Sequence, residues 1–407
     1  MILNENNISK YKYFFMISVI YMLIFQNFFQ QYIKIFQYFD ELITVIAIPI
    51  IIVKYLFNKS DKYKSNIIIS ILLIIIIGIG LISNVVYKYQ TFLYAVSDVL
   101  VFIKFFITIF FFELIFDKDI ILENREKLKI HCDVIIYILL FLTFLNYTSN
   151  IFPNPIYRYG IKVNKLFYMT PTYLVAICVF LLALNLMVKQ KTDKKAILFL
   201  MIILISTLRF KAIGVVIISI IICFEVERKN KKISLSKIGI MSVLIAIVAY
   251  YPIKYYFFNN EYARSLLTTK SFEIAKSHFP IGSGFGTFAS YFSTVNYSPL
   301  YYKYDLYKVH GLVKGEAIFA CDVFWPMILA QFGFIGTFLY GICIVIIFRK
   351  IQKCFDKDNK YFYIAKLLCF LYLIISSTSE SAFVNQLAIP LAFIIGIDTN
   401  NYDDKKD

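Results

Sequence analysis

Charge is what this chain has least of. Only 17% of its 407 residues are Asp, Glu, Lys or Arg, against about a quarter in soluble domains, which excludes an ordinary water-soluble globule. Histidine occurs three times. The seven cysteines, Cys132, Cys178, Cys223, Cys321, Cys343, Cys354 and Cys369, fall mostly in or beside apolar runs. None has metal-ligand spacing, so neither structural zinc nor a disulfide framework is expected. A Ser-His-Asp set, a metal-ligand cluster and a P-loop are all missing, so a site must be sought among other residue types. The alternation of a membrane β-barrel is absent, as are fixed-period repeats and any separate soluble domain. A cleavable signal peptide is not expected, because Met1 to Tyr11 is polar and a full-length apolar run follows.

What is abundant is apolar surface. Hydrophobic residues make up 60% of the chain and aromatic ones 18%, and the mean hydropathy is +0.71. Apolar runs of roughly 17–25 residues cross a bilayer as helices, since lipid leaves no partner for open backbone. The expected fold is therefore an all-α polytopic membrane protein, one domain over 1–407. Candidate spans are Tyr13–Ile33, Leu42–Phe57, Ile67–Tyr87, Phe92–Phe116, Val134–Phe152, Pro171–Val188, Ala196–Leu208, Ala212–Phe224, Ile238–Tyr255, Val323–Phe348, Tyr361–Ser377 and Ala382–Ile397, twelve in all. With the N-terminus in the cytoplasm, the loops Lys54–Lys64, Asp117–Lys129, Lys189–Lys195, Glu225–Lys237 and Arg349–Lys360 each carry four or more Lys or Arg. The short loops Lys34–Glu41 and Lys88–Thr91 carry one each, the asymmetry of the positive-inside rule. Both termini are then cytoplasmic. The net charge of +16 follows from lysines crowding the cytoplasmic loops, so the partner expected is the lipid bilayer and not nucleic acid. Between Ala196 and Phe224 only Arg209-Phe210-Lys211 breaks the apolar pattern, and a tight hairpin is preferred to one long span because it keeps the alternation. Asp398–Asp407 reads as a short charged tail.

Two outer segments depart from this pattern: Pro153–Thr170 and a stretch of about 65 residues, 257–321, between the ninth and tenth spans. Loops that long usually carry function or structure of their own. In the longer one, Tyr262–Lys276 places Leu266, Leu267, Phe272 and Ala275 at helical spacing, suited to a helix on the membrane surface. Tyr291, Phe292, Tyr297, Tyr301, Tyr302, Tyr304 and Tyr307 suit an interfacial belt or a sugar-stacking surface equally. Arg209 lies at the outer membrane edge, against the charge bias. A guanidinium there either grips phosphate through its bidentate fork or snorkels. Arg264, the only arginine of the long loop, either joins Arg209 on an anion such as a lipid-linked pyrophosphate or pairs with Glu261. Gly282, Gly284 and Gly286 make a tight turn that permits positive φ and close backbone approach, though not at dinucleotide-binding spacing. Asp322 opens the run Val323–Phe348 as an N-cap or as a general base. His310 is a second candidate base. Asp98 and Lys104, within the fourth span, do not share a helix face and are read as structural.

Three elements together resemble the O-antigen polymerase/ligase superfamily of bacterial membrane proteins. They are Ser206-Thr207-Leu208-Arg209 between close spans, Arg264 followed by Pro280-Ile281-Gly282-Ser283-Gly284-Phe285-Gly286-Thr287-Phe288, and the re-entry Asp322-Val323-Phe324-Trp325-Pro326 through Gln331-Phe332-Gly333-Phe334-Ile335-Gly336. The resemblance implies a glycosyltransferase without metal, cofactor or nucleotide sugar. It would act on undecaprenyl-pyrophosphate-linked oligosaccharides at the outer face of the bacterial cytoplasmic membrane. In the polymerase branch a growing glycan passes to the next lipid-linked repeat unit, building O-antigen, capsule or exopolysaccharide, and a chain-length-regulating co-polymerase is an implied partner. Arg209, Arg264, Lys211, Gly282, Gly284 and Gly286 would bind pyrophosphate, and Asp322 or His310 would activate the acceptor hydroxyl. Ligase members commonly begin the third element with His-Asn, and this chain has Asp322-Val323, which favours polymerase over ligase. A polysaccharide flippase would spread charge along a central cavity and tend to show two related halves. Neither pattern is present here.

Overall fold

The computed structural model describes residues 5–57, 61–149, 151–152, 154–234, 236–240, 243, 250, 254 and 262–399. The expected ninth span, Ile238–Tyr255, lies for the most part outside them, as do Glu261 and the tail beyond Thr399. The helices are α1 (Glu5–Phe29), α2 (Phe39–Phe57), α3 (Lys64–Tyr87), α4 (Phe92–Ile115), α5 (Lys118–Glu123), α6 (Arg125–Thr148), α7 (Pro171–Lys189), α8 (Lys194–Ser206) and α9 (Phe210–Lys229). There follow α10 (Ala263–Ser277), α11 (Tyr291–Val295), α12 (Pro299–Lys303), α13 (Trp325–Lys353), α14 (Lys360–Ser376) and α15 (Ala388–Gly396). One short antiparallel hairpin, β1 (Tyr157–Arg158) and β2 (Ile161–Lys162), joins α6 to α7.

Seven described helices are long and apolar enough to cross a membrane: α1, α2, α3, α4, α6, α7 and α13. The protein is thus an all-α, multi-pass membrane protein. α3 shows why. Its inner stripe is Asn66, Ile69, Leu73, Ile76, Gly80, Ser83 and Asn84, while Ile67, Ile71, Ile74, Ile82 and Val85 point outward and exposed. A helix apolar on both faces belongs in lipid. α7 is buried along nearly its whole length, at the centre of α6, α8, α14 and α15.

α8 has 13 residues and α15 has nine, about 20 and 14 Å of helix, short of a hydrocarbon core of about 30 Å. The expected last span, Ala382–Ile397, is helical only from Ala388. Its polar residues are drawn elsewhere: Tyr173 donates to Asn385 Oδ1 (3.0 Å) and Asn27 Nδ2 to Gln386 Oε1 (3.3 Å). Pro390 then falls in the first turn of α15, where no amide is needed. Asp398, expected to begin a free tail, is buried. Its N–H donates to Phe116 O (2.9 Å), its carbonyl accepts from Lys118 N (2.8 Å), and its carboxylate pairs with Lys62.

The segment that follows α10 is built into the bundle. α10 packs on α13, burying Leu267, Ile274 and Ala275 while Phe272 stays exposed. The glycine turn then inserts among α3, α4 and α13. α13 leaves helical geometry at Gly333 (φ 64°, ψ −168°), turning its carbonyls toward the turn. Ser283 N donates to Ala330 O and Gly284 N to Gln331 O, both at 2.9 Å. Gly80 of α3 leaves room for the ring of Phe285.

A cationic cluster as candidate functional site

Arg209 is placed by the end of α8. Ser206 and Thr207 turn their hydroxyls back onto Ile203 O and Leu204 O (2.7 Å each), a local bonding that competes with helix continuation. Leu208 takes a left-handed φ of 48°, and Arg209, extended, starts α9 as its N-cap. The break expected between Ala196 and Phe224 is therefore present, and α8 and α9 contact each other. A helix N-terminus carries partial positive charge and favours an anion. This one instead bears two cations, Arg209 and Lys211.

More charge converges there. Arg264, in the first turn of α10, donates from Nη2 to Asp322 Oδ2 at 2.7 Å. Lys211 forms an ion pair with Glu380. Ser381, next to Glu380, donates from N (3.2 Å) and Oγ (2.8 Å) to Cys321 O, which fixes Glu380 beside Asp322. From the hairpin, Arg158 Nη1 donates to Leu208 O at 3.4 Å. Asn164 anchors that hairpin to the end of α8, donating from N to Ser206 O (3.0 Å) and from Nδ2 to Ser206 Oγ (3.0 Å).

The described cluster holds four cations, Arg158, Arg209, Lys211 and Arg264, and two carboxylates, Asp322 and Glu380, a formal surplus of two positive charges. Arg264 and Lys211 have carboxylate partners; Arg209 has none among the described residues, and its Nε is buried without a hydrogen bond. Burial, with Arg158 and then Arg264 adding to it, pushes the Arg209 guanidinium down to about 10, against the pull of Glu380 and Asp322. The neighbouring guanidiniums repel Arg209, and more strongly than they would in bulk water. An anion bound between them removes that repulsion. Asp322 is held above the usual carboxylate range by burial, which outweighs Arg264 and Arg209. It is no N-cap, because α13 begins at Trp325 with Phe324 before it.

The structure thus brings together Arg209, Arg264, Lys211 and Asp322. It does not bring His310 or the glycines to them. His310 is exposed, its ring edge-on to Phe319. The glycine turn follows the far end of α10, a helix of 15 residues and about 20 Å that starts beside Arg264. Its amides are spent: Gly282 N on His278 O (2.9 Å), Gly284 N on Gln331 O (2.9 Å), Gly286 N on Asp98 Oδ2 (2.7 Å). None is left to cradle a phosphate, so these glycines serve close backbone approach. Asp98 serves the same turn, and Lys104 instead pairs with Asp40 and Glu41, separate structural roles as their spacing suggests. The tyrosines divide as well: Tyr301 is buried and accepts from Ala289 N (3.1 Å), while Tyr291 and Tyr302 are exposed.

Two members of the cluster, Arg158 and Glu380, are not among the sequence candidates. Each left a signal. Arg158 lies in a segment, Pro153–Thr170, that carries three cations where the charge alternation along the sequence leads one to expect few. Glu380 is the single acid of the polar break Ser376-Ser377-Thr378-Ser379-Glu380-Ser381 between two apolar runs.

Fold and site define a helical membrane protein with an electropositive, carboxylate-bearing site at one end of its bundle. Compared with family models, with curated proteins and with solved structures, the chain matches none.

Proposed function

We infer that this chain is a polymerase that joins undecaprenyl-pyrophosphate-linked oligosaccharide repeat units into O-antigen, capsule or exopolysaccharide. In this reading it has twelve spans with both termini cytoplasmic. The segment 257–321 and the cationic cluster then lie at the outer face of the bacterial inner membrane. One observation carries the reading: a surplus of half-buried arginine charge stands beside a carboxyl whose proton affinity is raised. A lipid-linked diphosphate is an anion delivered at membrane depth, and guanidinium groups bind it through paired hydrogen bonds.

The chemistry follows from that placement. Asp322 takes the proton of the acceptor hydroxyl as its oxygen attacks the anomeric carbon of the donor sugar. The bond from that carbon to the phosphate oxygen breaks, and the arginines stabilise the departing diphosphate. The acceptor keeps its own lipid diphosphate and is longer by the transferred glycan.

The test is the surface polysaccharide of a deletion strain, resolved by length, after complementation with wild type, Arg209→Ala or Arg264→Ala. A ladder restored by wild type alone, at equal membrane levels, supports polymerisation. Lipid-linked polymer made but left unattached points to a ligase. Repeat units trapped on the cytoplasmic side point to a flippase. Either of the last two outcomes overturns the proposal.

A further inference from the structure

The cations of the cluster are not equivalent. Arg264 and Lys211 are neutralised by Asp322 and Glu380. Among the described residues Arg209 forms no ion pair, and the hydrogen bond of Arg158 goes to a backbone carbonyl, that of Leu208, the residue before Arg209. Two guanidinium groups are thus brought to one turn of chain, and among the described residues neither is in an ion pair with an acid. The arrangement is built rather than incidental. Asn164 ties the hairpin to Ser206 through two hydrogen bonds of 3.0 Å, and Tyr147 Oη donates to both Lys162 O (3.1 Å) and Ser206 O (3.2 Å). Val163 N donates to Ile156 O at 2.7 Å and closes the hairpin on itself. These bonds hold Arg158 at the Arg209 turn although like charges would drive it away.

We propose that Arg158 and Arg209 together form the diphosphate-binding pair of this protein, one guanidinium for each phosphate, while Arg264 is a positioning residue that holds Asp322. This rests on the reading of the cluster as a lipid-diphosphate site and adds a ligand and a division of roles to it. Two guanidiniums fit a diphosphate better than a monophosphate, because the diphosphate offers more negative charge and a separate set of acceptor oxygens to each fork. The backbone carbonyl now accepting from Arg158 is held at 3.4 Å, long for a hydrogen bond to a charged donor, so the arginine gives it up readily for a phosphate oxygen.

The experiment uses the purified full-length protein in detergent micelles. Its probes are geranylgeranyl diphosphate and geranylgeranyl monophosphate, with affinities measured for wild type, Arg158→Gln, Arg158→Lys, Arg209→Gln and the charge-neutral double variant R264Q/D322N. Wild type is expected to bind the diphosphate about tenfold or more tightly than the monophosphate, the worth of one charge-assisted contact. Arg158→Gln loses that preference while keeping the monophosphate, Arg158→Lys retains part of it, and Arg209→Gln weakens both probes. R264Q/D322N keeps the wild-type preference. An unchanged diphosphate preference in Arg158→Gln overturns the assignment and leaves the anion site intact, as does an equal loss of both probes there. If wild type binds neither probe, the lipid-diphosphate reading itself fails.

Discussion

Gly282→Ala tests how the long segment is held in the bundle. At Gly282 the backbone is left-handed (φ 75°), and an added Cβ would lie 2.6 Å from Gln331 O and closer still to Gly333 N. Both are backbone atoms of α13, so no side-chain rotation relieves the contact. The left-handed conformation alone costs alanine about 1–2 kcal/mol. Moving the turn off α13 also strains the bonds from Ser283 N to Ala330 O and from Gly284 N to Gln331 O, and each buried donor left unpaired costs about 1–3 kcal/mol. With both donors lost the expected cost is about 3–8 kcal/mol, large for a single substitution. Gly315 is the internal control. Its φ is 85°, and nothing lies within 4 Å of an added Cβ. Gly315→Ala should therefore lose only the conformational part, about 1–2 kcal/mol. Both variants and wild type would be unfolded reversibly in mixed micelles by titration with a denaturing detergent. Equal losses in the two variants would refute the claim that Gly282 is required by contact with α13. A Gly282→Ala protein of wild-type stability that no longer binds a lipid diphosphate would return the turn to the anion-cradle role its sequence suggests.

The remaining predictions concern the base. Glycan transfer should fall as pH drops through the raised value of Asp322, because only the carboxylate accepts a proton. Arg264→Gln removes a neighbour that opposes the effect of burial, so it should move this acid limb further up in pH, and Arg264→Lys should move it back; an unmoved limb in Arg264→Gln would separate Arg264 from Asp322. The sign for stability follows from the same shift: folded Asp322 binds its proton more tightly than the unfolded chain does. Its stabilising contribution is therefore present at low pH and declines as pH rises through that raised value. His310→Ala, at an exposed ring that touches Phe319, should leave transfer within about twofold of wild type, as surface substitutions do. A loss of several orders in that variant, measured as polymer formed per unit time, would make His310 the base instead.

How much of this was legible depends on how far apart the interacting residues are in the chain. The ends of α3 and α4 read correctly, Tyr87 and Phe92 on either side of Lys88–Thr91, because a four-residue polar break between apolar runs is a local signal. The break at Arg209 was legible for the same reason. The last span was not, because Asn385 and Gln386 are drawn out of helix by Tyr173 and Asn27, more than 200 residues earlier. The glycines showed that some backbone approaches closely. That the approaching chain is α13, broken at Gly333, appears only in three dimensions. The charged residues are the deepest case. Arg209 and Arg264 stand out singly in an apolar chain, since a charge at membrane depth is costly unless it serves something. What the sequence does not carry is which cations the protein neutralises itself. Arg264 has Asp322, 58 residues on, and Lys211 has Glu380. Arg158 and Arg209, 51 positions apart and tied together through Asn164 and Ser206, have no described carboxylate. That asymmetry distinguishes a site that awaits an anion from a network of internal ion pairs. In the paired case, replacing one arginine strands a buried acid and destabilises the fold. In the unpaired case, replacing Arg158 or Arg209 relieves repulsion, so loss of anion binding should come with no loss of stability.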